Sequence, residues 1–164
     1  MLEKVFAAAA VAVVLTGCAA AKPPQTQLQI REFQTRTYDQ TQPRMVMKAM
    51  MNVLQDDGFI IKQGALDLGL LSAEKQVDVQ KQGEAFWAVF FGGSQGRYKK
   101  NSICECSVNV SDFGQDVRVR ANFQVRLINN KGELMEVKPI TEEAFYREFF
   151  ARVDKGIFLA KEKL

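Results

Sequence analysis

Histidine is absent from this chain of 164 residues. Its absence excludes Ser-His-Asp and Cys-His catalysis and every zinc site that relies on imidazole. Aromatic polarity is scarce too: one tryptophan and three tyrosines stand beside twelve phenylalanines. Neither charge sign dominates, with 22 basic against 19 acidic residues and a net charge of +3. So mild a balance neither requires nor excludes a polyanion, and no nucleic-acid partner is expected. The one long apolar run, "VFAAAAVAVVL" from Val5 to Leu15, falls short of the roughly 20 residues needed to cross a bilayer.

What that run does fit is a secretory signal over residues 1–17, with Lys4 before it and small residues after it. Its end, "LTGC" (Leu15, Thr16, Gly17, Cys18), resembles the lipobox of bacterial lipoproteins. The resemblance implies cleavage before Cys18 and covalent attachment of a diacylglycerol and an N-acyl chain, palmitate among them, to that residue. Two or more acyl chains hold a protein firmly on a membrane where one does not. Ala19 stands where an aspartate would signal inner-membrane retention, so the resemblance favours the outer membrane, its inner leaflet, facing the periplasm.

Residues 18–27 carry two prolines and no apolar periodicity and read as the lipidated cysteine and a flexible tether. Residues 28–164 read as a single α+β domain. Leu28–Asp39 is expected to be a strand. Asp39 and Thr41 offer capping oxygens and Pro43 suits a first helical turn. Val46, Ala49, Met50, Val53 and Leu54 then form one apolar stripe that ends at Gly58. Strands are predicted over Phe59–Gln63, Leu70–Gln80, Ser102–Ser111, Asp116–Ile128 and Glu133–Pro139. Thr141 is expected to cap a last helix whose face is Phe145, Phe149, Phe150, Val153, Ile157 and Ala160. The order is strand, helix, two strands, an apolar insertion, three strands, helix. It predicts a mostly antiparallel sheet of about five to six strands, with two helices on one face.

No catalytic residue and no metal site emerges. Cys104 and Cys106 share a strand face with Val108 and Val110, which assigns them to the core rather than to a redox or soft-metal pair. A disulfide between residues two apart in an extended strand would be strained. The pairs Asp56-Asp57 and Glu142-Glu143 are adjacent at helix ends and diverge, which suits capping and solubility better than acid-base work. "GGSQGRYKK" lacks the phosphate-loop spacing. Arg118, Arg120 and Arg126 alternate with apolar residues and define a candidate basic face for anionic lipid or an acidic partner.

The stretch "AFWAVFFGG", Ala85–Gly93, holds the only tryptophan. As helix or as strand, Phe86, Trp87, Phe90 and Phe91 leave it without a polar side. Leaving two or three such rings exposed would exceed the roughly 400 Å² apolar patch a monomer tolerates. These four residues are therefore a candidate contact, covered by the domain's own core, a bilayer, a partner or a second copy.

"IREFQTRTYD", "VMKAMMNVLQDDGFII", "LDLGLLSAEK" and "EAFYREFFARVDKGIFLAKEKL" resemble a group of small, largely uncharacterised proteobacterial lipoproteins. From Thr37 to Lys75 the chain is similar to the helix-grip domains of the BamC family, lipoproteins of the outer-membrane β-barrel assembly machine. The resemblance implies a helix-grip-like fold. It also implies a non-enzymatic binding or accessory role in envelope assembly or maintenance, with an envelope protein or a second copy as partner. The alternative is lipid binding or shuttling through residues 85–93.

Overall fold

The computed structural model describes residues 25–77, 102–128 and 131–162. Cys18 and residues 85–93 lie outside them.

The described chain opens on a helix where a strand was expected. Thr26 Oγ1 accepts from the Gln29 amide at 3.3 Å, and Gln29 Oε1 accepts in return from the Thr26 amide at 2.8 Å. This reciprocal cap satisfies two amides that a helix start leaves orphaned, and α1 (Gln27–Phe33) follows from it. Only the second half of the expected strand is extended, as β1 (Thr35–Asp39).

Helix α2 (Pro43–Asp56) has its proline in the first turn and buries Val46, Met47, Ala49, Met50, Val53 and Leu54. The expected caps are not used. Gln42 holds the N-cap position without a side-chain bond, while the Thr41 hydroxyl donates to Asp39 O at 2.9 Å. At the other end Gly58 takes φ +82°, Gly58 N–H donates to Gln55 O and Phe59 N–H to Leu54 O, both at 2.9 Å. That double closure stops the helix and turns Phe59 into the core.

Strands β2 (Ile60–Ala65), β3 (Leu70–Val77), β4 (Ser102–Asp112), β5 (Asp116–Ile128) and β6 (Leu134–Pro139) follow, then α3 (Glu143–Lys161). Among the described residues the sheet has six strands, with β1, β5, β4, β3 and β2 in order, β6 also paired to β5, and every pairing antiparallel. The α+β class and the mostly antiparallel sheet agree with the sequence reading. α2 and α3 pack on the same face, where their apolar stripes meet the inward side chains of β3, β4 and β5 in one cluster. α1 has no buried residue and sits at the sheet's edge, with the Phe33 ring 5.4 Å from Tyr146. No described helix is long and apolar enough to cross a membrane.

Phe123 of β5 is the hub of that cluster. Its ring meets Phe145 at 4.8 Å, Phe149 at 5.0 Å, Tyr146 at 5.8 Å and Phe59 at 6.1 Å, each edge on, the orientation ring quadrupoles favour. Along α3 the expected face holds, except that Ala160 is exposed and Tyr146 is fully buried. Thr141 is not the cap either: Glu142 occupies that position and its carboxylate accepts from the Thr141 amide at 2.9 Å.

One edge of β5 serves two partners. Asp116 to Arg120 pair with β1 and Gln124 to Ile128 with β6. In the gap between them no described strand supplies the ladder. Ala121 N–H donates to Gln34 O and Ile140 N–H to Phe123 O, each at 2.9 Å. Phe123 N–H donates to the Tyr146 hydroxyl at 3.2 Å. A side chain of α3 thus completes the backbone bonding of the sheet.

Candidate functional site

Period-two alternation sends Leu71, Ala73, Cys104, Cys106, Val108, Val119, Ala121 and Phe123 toward the helices. It sends their neighbours to the opposite face, which neither α2 nor α3 covers. Cys104 and Cys106 are buried thiols, as expected. Burial pushes the Cys104 thiol up to about 12 and that of Cys106 well up too, so both lack the thiolate that redox or metal chemistry uses. No cluster of three metal-ligating side chains occurs among the described residues.

The three candidate arginines share the outward face, as the alternation requires, yet they are in three different states. Arg118 is exposed and lies over the Phe113 ring, 4.8 Å from its centroid. Arg126 donates to Glu105 Oε1 at 2.6 Å, and Gln124 Nε2 donates to the other carboxylate oxygen at 2.8 Å. Arg120 makes no hydrogen bond or ion pair with any described residue, and its buried Nε has no acceptor. The row is therefore not one continuous basic surface: one cation is stacked, one is neutralised and one is left over. A buried donor without an acceptor costs about 1–3 kcal/mol.

Glu105 is held in the anionic form. Burial opposes its ionisation, but the hydrogen bonds from Arg126 and Gln124, with the charge of Arg126, outweigh that and hold its carboxyl below the usual range. A carboxyl whose pKa is lower folded than unfolded stabilises the fold above its unfolded value. That contribution is lost as pH falls through the folded value. Glu105→Gln should therefore flatten the acid limb of a plot of melting temperature against pH. At neutral pH the change should be small, because the pair is partly exposed and salt screens it. An acid limb identical to that of the parent chain would remove Glu105 from the account.

Arg120 lies in a cleft of about 530 Å³ on the outward face, with Ser72, Glu74, Glu105, Ser107 and Asn122 in its wall. Gln27 and Ile30 of α1, its C-cap Gln34, and Pro139 and Thr141 of the chain leading into α3 form the rim. Lys62, also in the wall, pairs with Glu74 at 2.6 Å. This rim was not foreseen, because Leu28 to Gln34 read as strand. The signal was the spacing Thr26-x-x-Gln29, a reciprocal cap within four residues. A second groove, about 830 Å³, runs along the seam of α2 and α3 past Lys48, Asn52 and Lys155. Three further polar contacts tie elements together. Arg36 joins β1 to α3 through Asp154 at 2.7 Å, Arg152 of α3 pairs with Asp57, and Lys75 Nζ donates to Asp57 O at 2.6 Å. Burial first, then the charge of Asp154, drives the Tyr38 phenol far above its ordinary range.

Cys18, Phe86, Trp87, Phe90 and Phe91, the other sequence-derived candidates, lie outside the described residues. Compared with protein-family models and with curated proteins, the chain has no match.

Proposed function

We propose that this chain is an outer-membrane-anchored lipoprotein facing the periplasm, which acts as a non-enzymatic binding or accessory module in envelope assembly or maintenance. The observation that carries this reading is the run Leu15-Thr16-Gly17-Cys18 at the end of a short apolar stretch. The fold supports it with a six-stranded sheet whose α2 and α3 lie on one face, leaving the other for contacts. Arg118 on that face and the Phe86–Phe91 stretch are the contacts proposed for an envelope protein or a second copy. The alternative, lipid binding or shuttling, rests on residues 85–93 alone.

Cells fed an alkyne-bearing palmitate provide the test. The parent chain should take up the label and sediment with outer membranes, while Cys18→Ser should lose the label and appear in the soluble periplasmic fraction. A Cys18→Ser chain that still carries the label, or still sediments with the membrane, ends the anchor reading. Photo-crosslinkers at Arg118 and at Trp87 test the binding role: a discrete envelope adduct is expected, and no adduct from either position ends that part.

A further inference from the structure

The cleft at Arg120 supports more than a general contact surface. Alternation along β5 turns Arg120 outward, and the register sets it between Thr35 of β1 and Asn109 of β4. Four charged side chains line the cleft. Lys62 and Glu74 pair with each other at 2.6 Å, and Glu105 is satisfied by Arg126 and Gln124. Among the described residues of the wall, the Arg120 guanidinium is the only uncompensated charge, and its Nε is buried without an acceptor.

We propose that this cleft binds a polyhydroxylated carboxylate the size of a sugar acid, with the carboxylate on Arg120. Three features point to this class. First, a single unpaired guanidinium matches one negative charge, and its planar edge pairs with the two oxygens of a carboxylate. A phosphate near −2 would leave excess negative charge beside Glu74 and Glu105. Second, the remaining polar wall includes the hydroxyls of Ser72, Ser107 and Thr141 and the amides of Gln27 and Asn122, which exchange hydrogen bonds with ligand hydroxyls in either direction, beside Gln34 and Gln124, whose Nε2 groups donate to Tyr146 and Glu105. Third, about 530 Å³ falls within the range of small-molecule sites. Arg120 has no hydrogen bond to a described residue, so its guanidinium can turn toward a ligand without losing one. The inference depends on the cleft alone and on neither the anchor nor a protein partner.

The experiment is an NMR titration of the full chain in detergent micelles, following the Arg120 Nε–H resonance and, in every variant, the backbone amides of Ser107 and Asn122, with glucuronate, glucose and inorganic phosphate as probes. Glucuronate should shift that resonance saturably, glucose should not, and phosphate should bind more weakly than glucuronate. Arg120→Gln, with its fold checked by circular dichroism, should weaken glucuronate by at least about tenfold, the loss expected for a charge-assisted pair. Ser107→Asp is the second variant. Ser107 is exposed and pairs across the strands with Asn122, next but one to Arg120, so an aspartate there offers the guanidinium an internal carboxylate. It should abolish glucuronate binding in a folded chain. Equal responses to glucuronate and glucose, unchanged glucuronate affinity in either variant, or tighter binding of phosphate would each overturn the assignment.

Discussion

Replacing Tyr146 with phenylalanine should lower the free energy of unfolding by roughly 2–4 kcal/mol, although it removes one oxygen atom. The hydroxyl is fully buried and has three partners. It accepts from Gln34 Nε2 at 3.1 Å and from Phe123 N–H at 3.2 Å, and it donates to Ile140 O at 2.9 Å. Phenylalanine keeps the ring contacts with Phe33, Phe123 and Phe145, so the loss isolates the hydrogen bonds. Two of the three orphaned groups are backbone atoms in the gap between β1 and β6, where neither strand can replace the lost partner. Denaturant unfolding at neutral pH measures the effect, and a change below about 1 kcal/mol would mean that water or a shifted strand takes over the bonds.

The same residue shapes the alkaline limb. Burial raises the Tyr146 phenol from 10.0 to about 12, against the lowering effect of its bonds with Phe123 and Gln34. A proton held more tightly in the folded state stabilises it fully below the unfolded value, and that share is lost as pH rises from 10.0 toward 12. The phenylalanine variant should therefore start from lower stability and lose less of it across that window.

Gly69→Ala should cost roughly 2–5 kcal/mol, the sum of a left-handed backbone that alanine resists and a steric clash. Gly69 has φ +63°, and a Cβ built on it would lie 1.9 Å from Val110 O. The approach is close because Gly69 O accepts from Val110 N–H at 2.7 Å, locking the turn between β2 and β3 onto β4. Alanine would have to push β4 away and break the bond that seats the turn. Gly64, in β2, is the control: its added methyl would meet only Leu71 Cδ1 at 3.9 Å, so Gly64→Ala should change little. Thermal melts of the two variants compare them directly, and equal melting temperatures would refute the steric argument.

Both residues show why parts of the fold were legible and others were not. The alternation in Asp116–Ile128 and the spacing of Phe145, Phe149, Val153 and Ile157 declare their faces locally, because side-chain direction repeats every two residues in a strand and every three to four in a helix. Tyr146 falls on that helical face, yet nothing nearby shows that its hydroxyl is needed. Its partners Phe123 and Gln34 are 23 and 112 residues away, and the gap it fills exists only once β1 and β6 share one edge of β5. Gly69 reads as an ordinary turn glycine until Val110 is placed against it. The helix at Gln27–Phe33 is a different case: its reciprocal cap was legible, but aromatic and branched residues suggested a strand more strongly.

The arginines mark the same boundary. Local pattern alone determined that Arg118, Arg120 and Arg126 point away from the core, that Cys104 and Cys106 point into it, and that α2 and α3 each carry one apolar stripe. Only the tertiary structure decided which arginine remains uncompensated. Charge pairing depends on which strands lie side by side, and Glu105 reaches Arg126 across the β4–β5 ladder while Arg120, six residues earlier on β5, meets no carboxylate among the described residues.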